Sequence, residues 1–582
     1  MGTYTPRFGR LLEYLILLLA LAVRLERAAR ETVVNPDVIR FIGLGQRFLV
    51  SPLAAIRDEP YHPLHGALSA LVHGGLTRFF WADDKMAWIA ATKVVGIAAA
   101  VAVVWMVMRL SRRMGAPRWA ACGAGLLWIV GRRTAGYGAD GMSDMLFLAL
   151  LTGAIMVGMR TRFRFKPMLW LLAGVLAGLS YLTRPEGVAA VLILGVGVVA
   201  YYVGLRPRVS LGTGLAGSTG RSIPQWRWRR RHRGVFAWGE AAKCLAVLML
   251  GFLIFAGPYM AVIGRFTAKK SLLNVNVPEQ TTAGEMPQVQ MAALASAPLM
   301  SATGMTVFNS EAWSKLGKEI WETFGFAPCM VVGLALLLRP SCWGRPHWWV
   351  LILTWQVLWC AVMFWLMGRT RTTGAIGYLD GRHTLVLLVV LHGLFALALP
   401  IWSAAVRNLV RRVGGAFGGR GKTDQGNQAR GIWQRLPGVT AGVALGLGCL
   451  PGFSMLLFPP ARDRSFVRVA AAYLAQHADP RTVVADETGL LAYYAGLDYE
   501  FCRLGADDPP LSGPDDPRLL RLKEIGRQRP VILAEVYQTG YGKTPPPQIN
   551  AWEALEPRYT APGARGGDVL VLYARPGDGA IK

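Results

Sequence analysis

Two stretches of this sequence leave few options for its fold. Residues 86–110 (MAWIAATKVVGIAAAVAVVWMVMRL) hold one charge, Lys93, before Arg109, and residues 187–205 hold none. Each run is long enough to cross about 30 Å of hydrocarbon as a helix. Backbone amides find no water there, so a helix, which bonds them internally, is the expected conformation. Composition agrees. The chain is 53% hydrophobic and 17% charged, where a soluble domain carries about 25% charged residues. The expected class is mainly α, a polytopic transmembrane helical bundle.

Apolar runs predict about eleven spans, near residues 9–27, 86–108, 117–131, 143–159, 168–182, 187–205, 241–263, 324–338, 347–367, 383–405 and 438–458. Residues 11–23 resemble the apolar core of a signal peptide, but no small-residue cleavage site follows, so they read as the first span. Loop charge supplies a second test. With a cytoplasmic N-terminus, the inner loops are RLSRRMGAPR (109–118), RTRFRFKP (160–167), 206–240 with its RWRRRHR run, 339–347 and 407–435. All are rich in Lys and Arg and poor in acids, whereas the opposite loops mix both signs, Arg132 and Arg133 being the main exceptions. That alternation is the positive-inside pattern of an inner-membrane protein. It also accounts for the net charge of +28, which in a soluble chain would suggest nucleic acid; no nucleic-acid partner is expected here.

Five of the seven cysteines, Cys122, Cys244, Cys329, Cys360 and Cys449, lie in apolar spans, and there is no C-x-x-C pair. They read as small core residues. The expected organisation is a transmembrane domain over 1–458, with a first extracytoplasmic loop at 24–85 and basic cytoplasmic loops at 206–240 and 407–437. Residues 459–582 balance their charges. A helical pattern at 468–477 and apolar strands at 482–485, 530–536 and 568–575 predict a small α/β domain, extracytoplasmic by the odd number of spans.

The first outer loop is long, and long loops usually have a task. In NPDVIRFIGLGQRF (35–48), Val38, Phe41, Ile42, Gly45, Phe48 and Leu49 share one helical face while Arg40, Gly43 and Arg47 lie on another. This predicts an amphipathic helix along the membrane surface, with Asp37 at its start. The plainer role for Asp37 is to favour the positive helix end, after an Asn35 cap and Pro36. Next comes DEPYHPLHG (58–66), which crowds Asp58, Glu59, His62 and His65 around two prolines. Glu59 with His62, or His62 with His65, can hold a divalent metal or a phosphate, although lone histidines more often only hydrogen-bond.

Three more polar clusters fall at outer span ends: GADGMSD with Asp140 and Asp144, YLTRPEG with Arg184 and Glu186, and GYLDGRH with Asp380, Arg382 and His383. Charges at membrane depth are costly and usually functional. For Arg184 and Glu186 the alternative is a local ion pair of little worth.

This ordered set resembles the GT-C membrane glycosyltransferases that use polyprenyl-phosphate sugars, in particular the protein O-mannosyltransferase and lipid A aminoarabinose transferase branches. The resemblance rests on Asp37 before an amphipathic helix, YHPLHG, Ser143–Asp144, LTRPEG and GYLDGRH, in that order over most of residues 1–400. It implies that Asp37 is the catalytic base, deprotonating an acceptor hydroxyl or amine as the lipid phosphate leaves with inversion. It further implies that Arg184, Arg382 and His383 steady that phosphate, and that Glu59 and His62 serve a metal or the donor. The partners implied are a polyprenyl-phosphate sugar, a lipid, glycan or protein acceptor, and membrane lipids. Asn35-Pro36-Asp37-Val38 has one acid where the family commonly has two, and His-Pro-Leu replaces a double proline. No D-x-D motif or glycine-rich nucleotide loop appears on the cytoplasmic side, which favours a lipid-linked donor. The competing expectations are a transporter or lipid flippase, an O-antigen ligase or polymerase, and a non-catalytic relative. A transporter would place charges nearer the midplane and show two similar halves; neither is evident.

Overall fold

The computed structural model describes residues 6–31, 34–59, 61–79, 84–202, 207–210, 225–228, 236–267, scattered positions between 314 and 360, 381–417, 446, 449, 465–486, 489–501, 517–538, 556–562 and 568–574. The chain enters through α1 (Pro6–Arg30). Three helices of the first loop follow: α2 (Pro36–Val50), α3 (Pro52–Asp58) and α4 (Leu64–Phe79). The long α5 (Asp84–Met114) then runs away from that loop. It is followed by α6 (Arg118–Val130), α7 (Arg132–Tyr137), α8 (Asp144–Thr161), α9 (Pro167–Thr183), a 3-10 turn at Pro185–Val188, and α10 (Ala189–Tyr202). After a short ribbon of β1 (Pro207–Ser210) and β2 (Gln225–Trp228) come α11 (Phe236–Ile263) and α12 (Gly381–Phe417).

Among the described residues, five helical segments are long and apolar enough to cross a membrane: Asp84–Met114, Asp144–Thr161, Pro185–Tyr202, Trp238–Ile263 and His383–Val406. The span expected at 117–131 is realised as a helix of 13 residues. At 1.5 Å per residue it reaches about 20 Å, less than the hydrocarbon thickness. The spans expected near 324–338, 347–367 and 438–458 lie largely outside the described residues. Outward faces of the bundle are apolar. Leu11, Leu15 and Leu18 form an exposed stripe on α1, as do Leu192, Val196 and Val199 on α10 and Leu250, Leu253 and Ile254 on α11. In a membrane protein such stripes face lipid rather than a missing partner. Cys122, Cys244 and Cys449 are buried and unbridged, as small core residues should be.

The bundle has two chemically different ends. At one, Glu13 near the start of α1 bonds Arg112 at 2.8 Å and has Arg109 and Arg118 at 4.0 Å. At the other lie the first-loop helices and the 138–143 loop. The C-terminal unit sits at this second end. It consists of α13 (Ser465–His477), β3 (Val483–Asp486), α14 (Leu490–Ala495), β4 (Asp498–Phe501), α15 (Pro517–Gln528), β5 (Val531–Gln538), β6 (Glu556–Pro562) and β7 (Asp568–Ala574). Its five strands are ordered β4-β3-β5-β7-β6. The β3 pairings with β4 and β5 are parallel, and those of β7 with β5 and β6 are antiparallel. The three strands expected from sequence are present; β4 and β6 were not anticipated.

Helix α2 forms as its sequence dictates. The Asn35 side chain accepts from the Asp37 amide at 3.1 Å, and Pro36 occupies the first turn. Val38, Phe41, Ile42 and Gly45 are buried and Arg40 and Arg47 exposed, as expected, but Leu49 of the same expected face is exposed, Phe48 is half-buried, and Leu44 is buried instead. Protein covers the first turns of the helix's apolar face. Val34, Val38, Phe41 and Ile42 join Trp88 and Ile89 of α5 in one core with Val467, Leu474, Leu490, Leu491 and Ile532 of the C-terminal unit.

Candidate active site

The polar residues at this end form a connected series. Asp37, in the first turn of α2 with a third of its side chain exposed, faces Arg40 at 3.5 Å. The same Arg40 nitrogen donates to the Tyr61 hydroxyl at 2.6 Å. Burial pushes the Tyr61 phenol up from its usual range while Arg40 pulls it down, so the hydroxyl stays protonated at neutral pH. Phe41, on the next turn of α2, meets the Tyr61 ring edge-on at 5.8 Å and the His65 ring at 4.8 Å.

His65 is fully buried in the first turn of α4. Its Nε2–H donates to the Gly141 carbonyl at 2.9 Å, which fixes the tautomer. Gly141 has φ +73°, a left-handed conformation open to glycine at little cost. Burial, with nearby Arg184 adding to it, pulls the His65 imidazole down to about 4. Neutral and committed to a carbonyl, His65 pins the 138–143 loop.

That loop presents Ser143 and Asp144 to Arg184. Nη2 of Arg184 lies 2.8 Å from the Asp144 carboxylate, and Nε donates to Ser143 Oγ at 3.3 Å. Arg184 sits where α9 stops: its extended backbone (φ −154°, ψ 143°) is the conformation a following proline imposes. The expected tight turn forms at Pro185–Val188, and Arg184 also ties α9 to α8, because Asp144 is buried at the start of α8 and needs a partner. Asp140, in the same loop, is crowded by protein. Burial first, then Glu31 and Asp144, hold its carboxyl well above the usual carboxylate range, against Arg27 and Lys93.

Glu59 and His62, expected to act together, face different partners. Glu59 pairs with Arg47 at 2.6 Å. His62 Nε2 shares a hydrogen bond with Thr267 Oγ1 at 3.0 Å, and its ring packs on Tyr181 at 5.2 Å and Tyr259 at 5.1 Å. Tyr181 also donates to the Phe266 carbonyl, so the end of α11 is tied to the site. His62 and His65 likewise diverge. Among the described residues no three His, Cys, Asp or Glu come together to hold a metal. Asp58, at the end of α3, is exposed. His383 is buried in the first turn of α12, and its carbonyl accepts from Trp359 Nε1 at 2.8 Å. The Trp359 ring lies 6.0 Å from Phe147, one turn beyond Asp144. Asp380 and the Arg382 side chain fall outside the described residues.

Asp37, His62, His65, Asp140, Asp144, Arg184 and His383 thus share one end of the bundle, opposite Glu13 and its arginines. Arg40, Tyr181, Tyr259 and Thr267 are additions that sequence reasoning missed. Arg40 was read only as the polar side of an amphipathic helix, although its i+3 spacing from Asp37 signals a pair. Thr267 carries no local signal.

No family profile matches the chain, and no curated protein sequence does. Solved structures do match, over nearly the whole chain. ArnT from Cupriavidus metallidurans bound to undecaprenyl phosphate matches with a TM-score of 0.55 at 11% identity, over 96% of this chain and 97% of that one. Its apo state matches at 0.51 and 13% identity, with the same coverage. The oligosaccharyltransferase AglB from Archaeoglobus fulgidus, in complex with an inhibitory peptide and a dolichol-phosphate, matches at 0.51 and 10% identity, over 90% of this chain and 69% of that one. Both are GT-C glycosyltransferases. At such identities the likeness is one of fold, and this chain has the GT-C fold.

Proposed function

We propose that this GT-C-fold chain is a membrane glycosyltransferase that moves a sugar from a polyprenyl-phosphate donor to a lipid, glycan or protein acceptor. The observation that carries the reading is the gathering of Asp37, Tyr61, His62, His65, Asp144 and Arg184 at one end of the bundle. The solved neighbours bound to undecaprenyl phosphate and dolichol-phosphate support the donor class. Loop charges support an extracytoplasmic position for this end, in the inner membrane with a cytoplasmic N-terminus. There a lipid-linked donor presents its sugar while its tail stays in the bilayer.

Asp37 is the base. Its open side chain takes the proton of an acceptor hydroxyl or amine as that group attacks the anomeric carbon. The bond from that carbon to the phosphate oxygen breaks, and the lipid phosphate leaves with inversion. Arg184 is a guanidinium with its plane set in advance by Asp144 and Ser143, the kind of fixed donor that stabilises charge developing on a leaving phosphate. Arg382 and His383, in the GYLDGRH motif that leads into α12, are assigned to the phosphate side by the family resemblance. His62, packed on Tyr181 and Tyr259, is assigned to the donor side by the family resemblance, with Glu59 nearby in sequence. Glu59 and His62 turn to separate partners, and no step of this mechanism passes through a metal.

The test is incubation of the purified protein with radiolabelled polyprenyl-phosphate sugars and a cell-envelope extract, following the label. Label should move to an acceptor with the wild type. With Asp37→Asn, of normal fold, transfer should fall by about 10²-fold or more. Unchanged transfer by Asp37→Asn removes Asp37 as the base, and a wild type that moves no label removes the transferase reading.

A further inference from the structure

The C-terminal unit is joined to the strand of chain that leads into Asp37. The Tyr494 hydroxyl, on α14, accepts from the Val34 amide at 3.3 Å. Val34 precedes the Asn35 cap by one residue and Asp37 by three. The Tyr494 ring is itself held, with the Arg468 guanidinium 5.7 Å from its centroid and the Tyr493 ring edge-on at 5.7 Å. Tyr493 donates to the Lys85 carbonyl at 3.1 Å, at the start of α5. Helix α14 therefore grips the first loop at both its entry and its exit. Around these two bonds runs the shared apolar core, with Val34, Val38 and Phe41 against Leu490, Leu491 and Val467.

We propose that Tyr494 is a positioning residue for the transfer reaction, acting through the Val34 amide to fix the first turn of α2 and with it the Asp37 carboxylate. By this reading the C-terminal unit is a working part of the site. Two points favour it over a purely structural contact. The bond falls on the backbone just outside a helix start, where an amide has no helical partner and the chain's entry angle is otherwise set only by the cap. And Tyr499, on β4 of the same unit, lies within electrostatic reach of Arg40, so this edge of the unit borders the Asp37 side of the site. A carboxylate must be held within a fraction of an ångström to act as a base.

The inference rests on Asp37 being the base, and its test separates the two. Tyr494→Phe keeps the ring and its packing and removes only the hydroxyl. In full-length protein reconstituted in lipid nanodiscs, hydrogen exchange read by mass spectrometry over residues 34–38 should quicken about tenfold, while α4 is unchanged. In the transfer assay kcat should fall about tenfold with donor KM unchanged. Unchanged exchange over 34–38 overturns the tie. Unchanged kcat, or a loss that follows only the folded fraction, overturns the positioning role. Exchange needs no substrate, so a wild type that transfers no sugar counts against the transferase reading, while the exchange result still decides the tie.

Discussion

Single residues in this protein divide into those whose role is local and those whose role depends on a distant partner. Asp37 is of the first kind: Asn35, Pro36 and Asp37 spell a helix start, and the structure forms it. Arg184 is of the second. Its sequence neighbour Glu186 suggested an ion pair, yet the observed partner is Asp144, forty positions earlier, and no spacing rule reaches that far. His65 shows the same limit. In sequence it is one of two histidines fit for a metal or phosphate; in the structure its Nε2–H is spent on Gly141. This has a pH consequence. The His65 pKa is lowered to about 4 in the folded protein, so the unfolded chain binds the proton more readily. Stability from His65 is complete above the unfolded value near 6.5 and falls as pH drops from there towards 4. The loss is about 3 kcal/mol at most. Thermal unfolding of wild type and His65→Gln in the same detergent checks this. The wild type should lose more stability between pH 7 and pH 4.5, and parallel curves would show that His65 is not the source.

At the scale of elements, apolar length was enough to place α1, α5, α8, α9, α10 and α11 close to where they are found, whereas α12 runs on to Phe417, into the stretch read as the start of a basic loop. Helix ends respond to proline and glycine nearby, which are visible in sequence. How the helices meet was not visible. A close crossing joins α9 to α11, where Gly174 faces Gly251. A Cβ at 174 would run into the Leu248 carbonyl and lie 2.9 Å from the Gly251 Cα. Backbones this close gain dispersion contacts that side chains would prevent, as membrane helices commonly exploit. Gly174→Leu should therefore separate the two helices and cut the yield of folded, monodisperse protein severely. Size-exclusion chromatography of the detergent extract measures it, and a wild-type profile would mean that the crossing can open without cost. The end of α11 also carries Thr267 to His62, so the same change should disturb the site from below.

Over the whole molecule, the separation of charge was legible and its purpose was only partly so. Lys and Arg runs mark one set of loops, and the structure collects Asp37, Asp140, Asp144, His62, His65 and Arg184 at the opposite end of the helices. If the basic end is cytoplasmic, a membrane-impermeant thiol reagent should label Asp58→Cys in intact cells. Arg10→Cys should be labelled only after lysis, each measured against the parent protein. The reverse pattern would invert the topology and move the proposed chemistry to the wrong compartment for a lipid-presented sugar. The least legible feature at this scale was the partner of α2. Its apolar stripe was plain, but a stripe does not say whether lipid or protein will cover it. The cover comes from α4 and α5 and, around Val34 and Val38, from the far end of the chain as well.

That arrangement sets a timetable for assembly. Val34 and Tyr494 are 460 residues apart, and a ribosome adding about 5–20 residues per second needs on the order of half a minute or more to make the stretch between them. Through that interval Val38, Phe41 and Ile42 have the earlier part of their core, including Tyr61, Ala70, Trp88 and Met142, but not the residues of the C-terminal unit. The helix that bears the proposed base is thus synthesised almost first and secured almost last. A nascent chain released early would contain the whole set of site residues in sequence and still lack the contact that sets the start of α2.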